Sequence, residues 1–444
     1  MNASRRCLCA FVITLTLSPL PQTAFAQDSR QQVEARAWAV ETLRYYNLAD
    51  KATSQEIEKI AELKSQILTP TLNFRDRLSA CTEAYSVFLR LMGGGSVPQQ
   101  TIIQTCVPPT QAAHARLTNA DYKPFNRTTS PPGELSHVEK MGRGPIPVIL
   151  IPDYGTDWTL YRTFMERNRD RYTMYAVTLP GFGDTPVPPK PKFYDPKATP
   201  WWNSAEQGVV KLIRSNKLNR PFVIGTQAGA YLAARLALDH PNIIRGVVLL
   251  NGLVKMPLPV RDNPNVPLGL KERHQMISGR PDLTGLMWEF PPLVVLTPSA
   301  AEKTISQVPP PVQQLFLGLN TRDPERGKAL YIDFLTKTDP RAFTYFIELN
   351  STDLTDDLKY LKVPMLVIPS LHDEKSPALN NPAMPGPNNL ALSQWNEIKQ
   401  SYLSIPLAIV PFENTRNYAT EEAPLELDRA IAAFVAGKPV EVKR

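Results

Sequence analysis

Cysteine and histidine are scarce in this chain, with four and five among 444 residues. So few thiols and imidazoles, scattered along the sequence, make no metal-ligand cluster, and nothing implies a cofactor. Charge of one sign is lacking as well. Lysine and arginine number 49 against 42 acidic residues, for a formal net charge of +7, and the two signs are interspersed. Without a concentrated basic stripe there is no case for a nucleic-acid partner. Nor does the apolar run from Leu8 to Leu17 reach the roughly 20 residues that a membrane span needs, because Ser18, Pro19 and Pro21 interrupt it.

What is present at the start is an ordered set of export signals. Arg5 and Arg6 precede the apolar run, and Ala24-Phe25-Ala26 follows it ahead of Gln27. A charged region, an apolar region and an A-x-A site predict a signal peptide over residues 1–26, cut after Ala26. The expected mature protein is therefore periplasmic or secreted, soluble, and without a stable membrane span after cleavage. Cys7 and Cys9 leave with the signal, so Cys81 and Cys106 remain, and in an oxidising compartment a disulfide is the expectation for such a pair. Closing that loop would contribute about 3 to 4 kcal/mol on the chain-entropy model. Proline, at 44 residues, is enriched and gathers in 186–200, 257–267, 291–311 and 377–387, which predicts long, stiffened loops.

Three helices are predicted between Gln31 and Met92. Their apolar faces are Val33, Ala37, Val40 and Leu43, then Ile57, Ile60, Leu63 and Ile67, then Leu78, Ala84, Val87, Phe88 and Leu91. Gly93-Gly94-Gly95 is expected to end the third, and Pro108 to Pro132 to be a loop-rich connector. These residues, 27–120, form an N-terminal helical extension. From Glu134 onward short apolar runs alternate with amphipathic segments, the pattern of a parallel sheet with crossover helices. Strands are expected at 147–151, 172–179, 221–225, 243–250, 364–368 and 406–410. Helices are expected at 159–169, 203–216, 228–240, 392–402 and 424–435. The interval 253–361 breaks this rhythm and is predicted to be a helical, proline-rich lid inserted into a core made of 134–252 and 362–440.

Five stretches in this core carry a resemblance. They are Pro147-Val148-Ile149-Leu150-Ile151-Pro152 leading to Asp153-Tyr154-Gly155 and Trp158, Val177 to Thr185 with Pro180-Gly181-Phe182-Gly183, and Phe222 to Ala230 with Gly225-Thr226-Gln227-Ala228-Gly229. The last two are Leu361 to Ile368 leading to Asp373, and Ile409-Val410-Pro411 leading through Arg416-Asn417 to Glu422-Ala423-Pro424. In order and spacing they resemble the α/β-hydrolase family over roughly two-thirds of the chain. The resemblance implies an α/β fold with a mostly parallel central sheet flanked by helices, and hydrolysis of small acyl or ester substrates.

The family's G-x-S-x-G turn reads Gly225-Thr226-Gln227-Ala228-Gly229 here, and no G-x-S-x-G exists elsewhere in the chain. A carboxamide has no anionic state near neutral pH, so Gln227 should form no acyl-enzyme. By its spacing from Glu422 and Pro424, the family's histidine falls on Asn417, which cannot exchange a proton near neutral pH. The acid position falls on Asp373. Asp153 stands where a histidine or glycine is usual, while the backbone N–H groups of Gly155 and Ala228 keep the capacity for an oxyanion hole, with Asp153 and Tyr154 as candidate binding residues. Losing nucleophile or histidine in a serine protease costs about 10⁶ in turnover, roughly 8 kcal/mol of barrier. Two readings follow: a catalytically silent protein that keeps a pocket for a small molecule, or an enzyme using unconventional hydrolytic or lyase-type chemistry there. His372 and His274 are alternative bases by position, though packing or surface roles are expected for both.

Overall fold

Strands buried on both faces explain the long apolar runs of the core. The computed structural model describes residues 22–45, 48–69, 71–91, 117–125, 129–131, 133–189, 200–255, 294–308, 310–342, 352–376 and 387–440. Its strands, in chain order, are β1 (Tyr122–Pro124), β2 (His137–Met141), β3 (Ile146–Ile151), β4 (Tyr172–Thr178), β5 (Phe222–Thr226) and β6 (Gly246–Leu250), then β7 (Val294–Leu296), β8 (Met365–Ile368), β9 (Ser370–Leu371), β10 (Leu407–Ile409) and β11 (Phe412–Glu413). Seven of them form one sheet in the order β10-β8-β6-β5-β3-β4-β2. All neighbours are parallel except β2, which runs antiparallel along β4 with His137 opposite Thr178.

Alternation along each strand sends side chains to opposite faces of the sheet. Ile149, Ile151, Val223, Val247, Leu249 and Val367 join one core with α5 (Pro200–Ser215), α6 (Ala228–Asp239) and α10 (Pro387–Ser401), whose Trp201, Leu232 and Trp395 are wholly buried. Val148, Leu150, Ile224, Val248, Leu250 and Leu366 join another with α4 (Arg162–Asn168) and α12 (Pro424–Val435). This is the expected layering, with strand ends within a few residues of those read from sequence. Five strands were not foreseen: β2 at the edge of the sheet, β1, β7 of the insertion, and the short parallel pair β9 and β11. The edge strand β2 has no continuous apolar run, because its residues are half-buried or exposed, and β1 lies in the supposed connector, paired antiparallel with β7 of the insertion.

A further core unites the N-terminal helices with the insertion. Leu43 of α1 (Gln22–Tyr45), Ile60 of α2 (Ser54–Leu68) and Phe88 of α3 (Phe74–Leu91) pack in one cluster with Ile305 of α7 (Pro298–Gln307), Leu317 of α8 (Pro310–Gly318) and Leu335 of α9 (Pro324–Lys337). Local signals set two of these helix starts. The Thr53 hydroxyl accepts the Glu56 N–H at 3.2 Å while the Glu56 carboxylate accepts the Thr53 N–H at 2.8 Å. At α9, Asp323 accepts the N–H groups of Glu325 and Arg326, and Pro324 occupies the first turn.

The expected cut after Ala26 would fall within the first two turns of α1. Cys81 is buried in α3, whereas Cys106 and the Gly93-Gly94-Gly95 stop lie outside the described residues, as does His274. Among the described residues no helix is long and apolar enough to cross a membrane.

Candidate functional site

The turn between β5 and α6 places Gln227 at φ 51°, ψ −110°, a left-handed conformation that costs a non-glycine residue about 1 to 3 kcal/mol. The two elbow glycines impose it. A Cβ on Gly225 would lie 2.2 Å from the Gly229 carbonyl oxygen, and one on Gly229 would lie 2.3 Å from that of Ile151. Strand and helix approach so closely that only glycine fits at both positions. The Gln227 N–H donates to the Leu250 carbonyl at 2.9 Å. Its carboxamide is half-buried and engages no described residue in a hydrogen bond. The Thr226 hydroxyl is buried 2.7 Å from that of Tyr161, which removes it from the site.

Asp153, just past β3, turns its carboxylate onto the elbow. One oxygen, Oδ1, accepts the Tyr154 N–H at 2.6 Å and the Ala228 N–H at 3.2 Å. The other, Oδ2, accepts the Tyr418 hydroxyl at 2.9 Å. Burial pushes the Asp153 carboxyl up to about 6, against the three hydrogen bonds, which favour the ionised form. Burial, reinforced by the negative charge beside it, raises the Tyr418 hydroxyl well above its ordinary value. The sequence left the Gly155 and Ala228 N–H groups open for a substrate oxygen. In the structure an internal carboxylate takes that of Ala228, whereas the N–H that joins it on Asp153 Oδ1 is that of Tyr154.

Asn417 lies in a closed polar network. Its Oδ1 accepts the Asn251 amide at 2.8 Å and His372 Nε2 at 2.9 Å, and its Nδ2 donates to Asn320 at 3.0 Å. Since that oxygen can only accept, His372 carries its proton on Nε2, and Nδ1 accepts the Ser376 hydroxyl at 2.8 Å. Burial lowers the His372 basicity, keeping the ring neutral. Asp373 stands apart, accepting the Lys375 N–H at 2.9 Å with its other oxygen 3.6 Å from Arg416 Nε. Gln227, Asn417 and Asp373 are thus not hydrogen-bonded to one another.

Aromatic rings and a strap from the insertion complete the surroundings. Tyr154 packs edge-on against Phe182 at 4.7 Å and donates its hydroxyl to the Ala342 carbonyl, and the Phe334 ring of α9 lies against Gly155. The segment between α8 and α9 is bonded to the loop that carries Asn417. The Asn417 and Tyr418 N–H groups donate to the carbonyls of Leu319 and Asn320, and Arg416 donates to those of Gly318 and Thr321. Arg322 pairs with Glu422 at 2.6 Å and Arg326 with Glu421 at 2.7 Å, Glu421 and Glu422 lying in α11 (Ala419–Glu422). A cavity of about 10 Å³ beside Gly155, lined by Asp157, Leu330, Asp333 and Lys337 among others, has room for roughly one water. Among the described residues no group of three His, Cys, Asp or Glu side chains could hold a metal ion.

Asn251, Asn320, Arg416 and Tyr418 escaped the sequence reading. Asn251 alone left a signal, since it directly follows the strand β6, at the carboxyl edge where sites of open α/β sheets gather.

A family model described as "Alpha/beta hydrolase family" matches residues 148–395, a span that includes Asp153, Gln227 and Asp373 and stops short of Asn417. One curated relative is the pimeloyl-[acyl-carrier protein] methyl ester esterase of Aeromonas hydrophila subsp. hydrophila, 27% identical over 111 residues, or 25% of this chain and 39% of that one. The chain thus spans well under half the length of that relative. Similar solved structures include a hydrolase from Pseudomonas aeruginosa PA01, at 17% identity and TM-score 0.45 over 67% of this chain and 93% of that chain. Another is MenH from S. aureus, at 14% identity and TM-score 0.47 over 68% and 99%.

Proposed function

Because this chain belongs to the alpha/beta hydrolase family, matched over more than half its length, we propose that it is an exported member that keeps the scaffold as a small-molecule binding site and has lost Ser-His-Asp ester hydrolysis. The observation that carries the reading is Gln227 itself: the strained elbow persists, yet the side chain it presents is an amide. The other two triad positions and the Ala228 N–H are engaged elsewhere. Asn417 is held by Asn251, His372 and Asn320, Asp373 faces Arg416, and the Ala228 N–H is held by Asp153. The Gln227 carboxamide, half-buried and unengaged, offers both a donor and an acceptor to a ligand. Kinship with a methyl ester esterase makes an acyl or ester compound the natural class. Export rests on the Arg5, Arg6 and Ala24-Phe25-Ala26 signals. The Cys81–Cys106 bridge belongs to the same proposal.

One observation favours a second reading. A carboxyl held near 6 by burial, with a phenol on its outer oxygen, titrates close enough to neutrality to move a proton. Turnover of nitrophenyl esters from acetate to octanoate by the purified protein decides between them, run beside Gln227→Ala, Asp153→Asn and the double change Gln227→Ser with Asn417→His. Wild type is expected at the level of Gln227→Ala, and the double change to stay inert until Asp153→Ala is added to free the Ala228 N–H. Wild-type turnover that vanishes in Asp153→Asn would replace the silent reading with the second. Turnover that vanishes in Gln227→Ala alone would sink both.

A further inference from the structure

The donors that converge on Asp153 are those an oxyanion hole would offer to a substrate. Ala228 follows the elbow residue and opens α6, and Tyr154 lies in the loop after β3, the two places from which such holes draw their N–H groups. Both donate to one carboxylate oxygen, and the Tyr418 hydroxyl donates to the other. All three partners are neutral, so the negative charge is solvated by fixed dipoles and not cancelled by a cation. A second anion brought to the same donors would meet that charge at short range, in a part-buried setting that screens it less than bulk water does. An uncharged amide or hydroxyl meets no such charge repulsion, because its N–H or O–H can donate to the carboxylate.

We propose that the Asp153 carboxylate is a built-in anion of the oxyanion hole, so that the site excludes carboxylates and tetrahedral anions and selects uncharged, hydrogen-bonding ligands. Where the ligand sits rests on the binding reading above. The occupancy of the hole does not.

Two measurements keep these apart. Removing the side chain in Asp153→Ala leaves three convergent donors around a small void, which formate fits in size, charge and acceptor geometry. In thermal unfolding at about pH 8, where a carboxyl titrating near 6 is ionised, formate is expected to stabilise Asp153→Ala and to leave wild type and Asp153→Asn unmoved. The apparent formate affinity should differ by about tenfold or more between Asp153→Ala and wild type. Equal responses in wild type and Asp153→Ala overturn the built-in anion. Hexanamide and hexanoate, titrated calorimetrically, then test selection. Wild type should prefer the amide by about tenfold or more, and the preference should shrink in Asp153→Asn, which keeps the volume without the charge. That variant serves also if Asp153→Ala does not fold. Hexanoate binding wild type as tightly as hexanamide overturns the selection. If wild type binds neither compound, the binding reading fails, while the formate result still decides what fills the hole.

Discussion

At Asp153, burial and hydrogen bonding pull a single group in opposite directions. Desolvation is the larger effect and holds the carboxyl at about 6, above its unfolded value of 3.8. A folded-state value that is raised means the folded protein binds the extra proton, so this group's contribution to stability falls as pH rises from about 4 through 6. The penalty of the ionised form is complete above that window and is on the order of 3 kcal/mol. Asp153→Asn mimics the protonated state. Its unfolding free energy is expected to exceed that of wild type at about pH 8, with the gap closing as pH falls toward 4. A gap that stays constant across that range would show that Asp153 is not the titrating group. The sequence exposed this residue, because an acid replaces the family's usual histidine or glycine. It hid the carboxylate's destination, because Ala228 and Tyr418 lie 75 and 265 residues away. Asn417 was legible in the same partial way. Its inability to exchange a proton near neutral pH showed in its chemistry, whereas its bond to His372 depended on two loops meeting.

Between elements, the strap that joins the insertion to α11 depends on unequal partners. The Glu422 side chain is 4% exposed and accepts from the Thr321 hydroxyl, the Arg322 N–H and Arg322 Nε, whereas that of Arg322 is 49% exposed. Removing Glu422 leaves the part-buried Thr321 hydroxyl without an acceptor and gives up two Arg322 bonds as well, a cost of about 1 to 2 kcal/mol. Removing the Arg322 side chain gives up a half-solvated ion pair worth less than about 1 kcal/mol. Denaturant unfolding of Glu422→Ala and Arg322→Ala should show this order, and hydrogen exchange should quicken at residues 319–323 mainly in the former. Equal losses would mean that the ion pair, and not the network around Glu422, holds the strap. Sequence periodicity could not reveal the strap, which consists of backbone carbonyls and charged side chains without an apolar repeat.

Over the whole molecule, the N-terminal helices and the insertion share a core that the seven-stranded sheet does not enter. Phe88, wholly buried in that core, is a place to test the division. Phe88→Ala should cost about 3 to 5 kcal/mol, and native-state hydrogen exchange should lose protection in α7 and α9 while β3, β5 and β6 retain theirs. Uniform loss across the sheet would show one cooperative unit. By itself the sequence determined the six parallel strands of the main sheet, their flanking helices, the three N-terminal helices, and the amide side chains at Gln227 and Asn417. Those follow from side-chain periodicity and from the chemistry of single residues, which are local properties. Tertiary structure alone decided that β1 of the supposed connector pairs with β7 of the insertion, that the Asp153 carboxylate accepts the Ala228 N–H and the Tyr418 hydroxyl, and that Asn417 is bound by Asn251, His372 and Asn320. Each of these joins groups far apart in the chain, and which distant groups meet is set by packing.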